Sequence, residues 1–138
     1  TEIIAASIRH AKHVEQADKG GLGDPDQDGF DDVAIGAPRY TMDQKAEGCV
    51  FAFHGSSTGP HQSPDWTGCG DKADADYGYS LAGAGDVNTD GKPDLLIGAP
   101  LYKRDERIVM GRAFVFHGKA AGEVEYFYVH LPYVYAEP

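Results

Sequence analysis

One stretch occurs twice in the chain and constrains the rest. Residues 23–38 read Gly-Asp-Pro-Asp-Gln-Asp-Gly-Phe-Asp-Asp-Val-Ala-Ile-Gly-Ala-Pro, and residues 85–100 read Gly-Asp-Val-Asn-Thr-Asp-Gly-Lys-Pro-Asp-Leu-Leu-Ile-Gly-Ala-Pro, at a constant offset of 62. Each copy places oxygen-bearing side chains at loop positions one, three, five and nine: Asp24, Asp26, Asp28 and Asp32, then Asp86, Asn88, Asp90 and Asp94. Position six is glycine in both, Gly29 and Gly91. Oxygens at alternate residues followed by a sharp turn can wrap a hard cation. Calcium takes about 6–8 oxygens, and a backbone carbonyl at position seven commonly supplies one. That carbonyl belongs here to Phe30 or Lys92. Asp, Asn and Gly also form ordinary turns. Two runs of identical spacing, each followed by Ile-Gly-Ala-Pro, point instead to two calcium ions.

The loop is not an EF-hand, which needs a bidentate Glu at position twelve. That position holds Ile35 and Ile97. The apolar run that follows is short, rich in strand formers and ended by proline, so each loop leads into a buried strand.

The remaining strands follow from the same repeat. Gly48–Gly55 and Gly111–Gly118 correspond at an offset of 63, which places one extra residue in the connection 101–110. In the first of these, Cys49, Phe51 and Phe53 alternate with Val50, Ala52 and His54, predicting a strand with one aromatic face. Residues 77–85 predict a strand feeding loop two. Residues 1–20 fit either a helix ending at Gly20-Gly21 or an extended segment, and the repeat favours the latter. The tail is dense in β-branched and aromatic residues, and Pro132 restricts it to an edge strand or a break. With 18 glycines and 8 prolines in 138 residues, many short strands are favoured over a helical bundle.

The formal net charge of −10 argues against nucleic acid and anionic membranes as partners, which require clustered Lys and Arg. Much of the acidity sits in the two loops, where a cation offsets it. No apolar run reaches the length of a transmembrane helix. The chain starts at Thr1 with no visible signal peptide, which predicts a processed or trimmed product. Calcium loops without the EF-hand Glu suggest an extracellular, secreted or cell-surface setting, which permits a disulfide. Strands 48–54 and 64–70, taken as a hairpin centred on Gly59, set Cys49 opposite Cys69, within disulfide reach. Two free buried thiols are the alternative.

Catalysis has little support. The carboxylates are spaced as calcium ligands rather than as an acid–base pair, and no nucleophile elbow, phosphate loop or His-Glu-x-x-His is present. His54 and His117 occupy equivalent places at strand ends, which reads as structural, and no histidine cluster forms a zinc set.

A unit of about 60 residues with Tyr77-Gly78 before a calcium loop and Gly-Ala-Pro after it resembles the FG-GAP repeat, which builds the β-propeller of integrin α-subunits. The resemblance covers roughly residues 21–118, with Gly36-Ala37-Pro38 and Gly98-Ala99-Pro100 as the second half of the signature. It implies an all-β fold of two antiparallel propeller-type blades with calcium loops between strands. Residues 1–70 form the first blade with an atypical N-terminal segment, and residues 71–138 the second with an atypical aromatic tail. No aromatic-glycine pair precedes loop one, which implies that the first blade lacks a normal leading strand.

Two blades cannot close a ring, and an apolar face is expected at each end. The implied function is a non-enzymatic calcium-binding module for protein interaction, adhesion or assembly, partnered with other blades by self-association or with another subunit. The alternative is a carbohydrate-binding propeller, or an accessory module of a secreted hydrolase, in which Trp66 and the tail aromatics face a glycan.

Overall fold

The computed structural model describes residues 28–118 and, for the backbone alone, 13–16 and 127–130. The ten strands are β1 (His13–Gln16), β2 (Val33–Ala37), β3 (Cys49–Phe53), β4 (Trp66–Cys69), β5 (Ser80–Gly85), β6 (Asp94–Ala99), β7 (Lys103–Asp105), β8 (Ile108–Val109), β9 (Arg112–His117) and β10 (Phe127–His130). Two antiparallel four-stranded sheets result, ordered β1-β2-β3-β4 and β10-β9-β6-β5, with β7-β8 as a separate ribbon. The described residues are thus all-β, arranged as two propeller-type blades. None of their helices is long and apolar enough to cross a membrane, since none is formed.

Three expectations change. The first sheet does have a leading strand: β1 pairs with β2 from His13 opposite Gly36 to Gln16 opposite Val33. The missing aromatic-glycine pair therefore did not remove the strand. Residues 77–79 are not strand. Gly78 adopts φ +84° and Tyr79 N–H donates to the Asp76 carbonyl at 3.0 Å, so β5 begins only at Ser80 after a turn. The outer face of the first sheet is not laid open to water, because Phe51 and Phe53 are buried. The Tyr40 ring meets Phe51 edge-on at 5.4 Å on that face, beside the disulfide.

The extra residue in 101–110 sits where the two units differ most. In the first unit the equivalent connection is a loop held by Glu47, whose Oε1 accepts N–H bonds from Met42, Asp43 and Gln44. In the second it is the ribbon β7-β8. Both connections keep the same anchors. Tyr40 and Tyr102 N–H donate to the Ala37 and Ala99 carbonyls, and their own carbonyls accept from Gly48 and Gly111.

The main core lies between the two sheets. Ala34, Val50 and Trp66 of the first meet Leu81, Leu95, Ile97, Phe114 and Phe116 of the second. Trp66 packs edge-on to Phe116 at 4.9 Å, so it serves the core rather than an open platform. Tyr77 is buried at this junction, and its N–H donates to the Glu47 carbonyl at 3.0 Å. The turn it opens sits directly on the first sheet. A Cβ on Gly36 would stand 2.2 Å from the Gly78 carbonyl oxygen, and one on Gly48 would stand 2.2 Å from that of Tyr77. Only glycine leaves room for this backbone-on-backbone contact.

The hairpin β3-β4 places Cys49 opposite Cys69, and the two form a disulfide. Closing a loop of this size contributes about 3 kcal/mol. Paired Cys49→Ser and Cys69→Ser substitutions should therefore lower unfolding free energy by about that amount in denaturant titration. Thiol titration of the unreduced, unfolded chain should find no reactive thiol.

Gly36 and Gly98 occupy equivalent positions but meet different neighbours. Around Gly98 the nearest atom to an added Cβ is the mobile Ser80 Oγ, not backbone. Gly36→Ala should cost about 1–3 kcal/mol or more by overpacking, while Gly98→Ala should cost much less. Denaturant unfolding of the two variants checks the difference.

Candidate metal centre

Each acidic loop enters the sheet through an aspartate that the strand register buries. Antiparallel pairing sets Val33 opposite Phe53 and Leu95 opposite Phe116. The next residues outward, Asp32 with His54 and Asp94 with His117, are therefore brought face to face. Asp32 and Asp94 are 1% and 0% exposed. A carboxylate so placed is unfavourable unless it is hydrogen-bonded or bound to a cation. Asp32 Oδ1 accepts the Gly55 N–H at 2.9 Å, and its Oδ2 lies 3.1 Å from His54 Nδ1. Asp94 Oδ1 accepts the Gly118 N–H at 2.9 Å, and its Oδ2 accepts the Val87 N–H at 2.8 Å.

Loop two is fully described. Asp86 accepts N–H bonds from Asp90 at 3.1 Å and Gly91 at 2.7 Å. Asn88 lies between, with its amide nitrogen 3.2 Å from Asp90 Oδ2. Asp90 Oδ1 accepts the Lys92 N–H at 2.9 Å. That backbone N–H, aided by Asn88, holds the Asp90 carboxyl below the usual carboxylate range. Gly91 takes φ +85° at the turn, and its counterpart Gly29 takes φ +94°.

Loop one repeats this geometry where it is described. Phe30 N–H donates to Asp28 Oδ1 at 2.9 Å, matching Lys92 on Asp90. Asp24 and Asp26 lie outside the described residues. The Phe30 ring is exposed, which suits a residue whose expected contribution is its carbonyl.

The sequence-derived set is thus brought into one loop in the second unit, with carboxylates at positions one, five and nine and an amide at position three. Among the described residues, no three Asp, Glu, His or Cys side chains already form a closed metal cage. Asp28, Asp86 and Asp90 instead accept backbone N–H bonds of their own loop, while Asp32 and Asp94 also accept from the neighbouring strand end. The donor set is oxygen alone, with three carboxylates in loop two, and this chemistry fits a hard divalent cation rather than zinc or copper.

The sequence reading did not connect the Phe-His-Gly strand ends to the loops. Their signal was the repeat itself, Phe53-His54-Gly55 and Phe116-His117-Gly118. Gly55 is obligatory at its place: a Cβ there would stand 2.2 Å from the Asp31 carbonyl oxygen.

Comparison with known proteins agrees with the repeat. Residues 77–116 match the FG-GAP repeat family. The chain is similar to integrin alpha-V of Gallus gallus, 43% identical over 82 residues, covering 56% of this chain and 8% of that protein. It is similar to integrin alpha-7 of Rattus norvegicus, 44% identical over 82 residues, covering 56% of this chain and 6% of that protein. It is also similar to integrin alpha-6 of Homo sapiens, 33% identical over 106 residues, covering 72% of this chain and 8% of that protein. The chain therefore spans under a tenth of the length of these relatives. Through residues 77–116 it belongs to the FG-GAP repeat family, with integrin α-subunits among its relatives.

Proposed function

We propose that the chain is a non-enzymatic, calcium-stabilised extracellular module for protein interaction, adhesion or assembly, made of blade units 1–70 and 71–138. The observation that carries the calcium reading is the pair of buried position-nine carboxylates, Asp32 and Asp94, each following a run with an oxygen-bearing side chain at alternate residues of the sequence. Asp24, Asp26, Asp28 and Asp32 with the Phe30 carbonyl would hold one ion. Asp86, Asn88, Asp90 and Asp94 with the Lys92 carbonyl would hold the other. The ion's chemistry is to neutralise and draw together carboxylates that otherwise repel. The chain's own residues orient these oxygens and fix the turn. The likeness to integrin α-subunits supports the extracellular setting and a protein partner.

The assembly reading rests on a groove in the second sheet. About 250 Å³ of space is lined by Tyr79, Ser80, Gly98, Pro100, Gly111 and Ala113, among others. Gly98 and Gly111 are the counterparts of Gly36 and Gly48, on which the Tyr77-Gly78 turn is seated. The groove therefore suits a further blade that opens on an aromatic-glycine turn. The first unit has no such pair before loop one, and Tyr77-Gly78 is already seated. A second copy of this chain is thus disfavoured as the source of that blade.

Calcium at a hundredfold excess over Kd should stabilise the fold by about 2.7 kcal/mol per site through binding to the folded state alone. A chelator should lower the melting temperature, and Asp28→Ala or Asp90→Ala should each remove part of the calcium-dependent increment. A melting curve indifferent to chelator contradicts the reading. For assembly, a separately produced blade opening on Phe-Gly should bind the chain in light scattering, and Ala113→Arg should abolish that binding. Equal binding by the variant contradicts the groove.

A further inference from the structure

Resting on the calcium reading, we infer that His54 and His117 are positioning residues for the two metal loops, each aiming the position-nine aspartate from the far end of a neighbouring strand. The two sites share one arrangement. A strand of the sheet ends in Phe-His-Gly, its glycine N–H donates to Oδ1 of the aspartate at 2.9 Å, and its imidazole Nδ1 faces Oδ2. At the first site Nδ1 stands 3.1 Å from Asp32 Oδ2, within hydrogen-bonding distance. At the second it stands 3.3 Å from Asp94 Oδ2 without bonding geometry, and this buried nitrogen has no other hydrogen-bond partner. A nitrogen of that kind, turned to a carboxylate across a small gap, completes its bond by a slight rotation of the ring.

The assignment fixes the proton. A carboxylate oxygen accepts, so Nδ1 must carry the hydrogen at both rings. An imidazole can donate this bond without a formal charge, whereas Arg or Lys would set a full positive charge beside the bound cation. At Asp32 two donors, one to each oxygen, hold the carboxylate plane and leave a lone pair on each oxygen for a metal; at Asp94 the Val87 N–H shares Oδ2 with the imidazole, so Oδ1 keeps the lone pair for a metal. Hydrogen bonds of this outer kind orient the ligands that touch an ion, and their loss typically lowers metal affinity by about 10–100-fold. The same bonds tie each loop to the strand neighbouring the one it feeds, so that metal binding and sheet formation reinforce one another.

The bond can be removed or kept at the same site. His54→Leu and His117→Leu remove the donor, while His54→Asn and His117→Asn place an amide N–H close to where Nδ1 stands. Isothermal titration of the full chain with calcium should show about tenfold or more weaker binding at one of the two sites in each Leu variant. Each Asn variant should recover most of that loss. Melting in chelator measures any purely structural cost, and Leu and Asn should differ far less there than in calcium affinity. Wild-type affinity in the Leu variants, or equal loss in Leu and Asn, would overturn the inference and leave the calcium sites standing. A wild-type chain that takes up no calcium would overturn both. Imidazole nitrogen chemical shifts of the unmodified, calcium-loaded chain supply a readout that needs no variant. Nδ1–H rings at both positions are expected, and a bare Nδ1 at both would overturn the assignment.

Discussion

The structure depends on two carboxylates that have been taken out of water. Asp32 and Asp94 each stand where a loop becomes a strand, with almost no exposed surface. Such a group is unfavourable unless its oxygens are occupied. Here the occupants are the Gly55 N–H and the His54 imidazole at Asp32, and the Gly118 and Val87 N–H groups at Asp94. The neighbouring strand must therefore be in register for the loop to be correctly made. This explains why the repeat retains both the acidic loop and a Phe-His-Gly strand end more than 20 residues later.

The second constraint is the contact between units. The Tyr77-Gly78 turn lies on the backbone of Gly36 and Gly48 so closely that no side chain fits between. Further bonds secure the segment leading to it. Asp74 N–H donates to the Lys45 carbonyl at 2.8 Å, and Arg39 Nη1 lies 3.3 Å from Asp76 Oδ1. On its other side Gly78 N–H donates to the Gly98 carbonyl at 3.0 Å, within the second sheet. The turn is thus bonded to both units. With Val50, Leu95, Ile97 and Phe114 in one cluster with Tyr77, the two sheets share the larger core, while Ala37, Cys49, Phe51 and Phe53 form a second cluster in the first unit.

Much of this was legible in the sequence because the chain states it twice. The duplicated loop located the two acidic loops that lead into the sheets, Ile-Gly-Ala-Pro located β2 and β6, and the alternation about Phe51 located the aromatic face of β3. The hairpin about Gly59 brought Cys49 to Cys69. What failed was legible only in three dimensions. The leading strand β1 has a sequence, His-Val-Glu-Gln, with no strong strand preference, and its partner β2 gives it its place. Tyr77-Gly78 read as strand because aromatic residues favour strands, but the space against Gly36 requires a turn. The two histidines read as strand-end residues, and only the register shows that they face the loop aspartates.

The central claim is that each repeat holds one calcium ion against its buried aspartate. Diffraction from crystals grown in calcium tests this most directly, using the anomalous signal of the ion. The account predicts two peaks per chain, one about 2.3–2.6 Å from carboxylate oxygens of Asp32 and the other at that distance from Asp94. Density for an ion at neither loop, with both aspartates still held only by their N–H and imidazole partners, would contradict it.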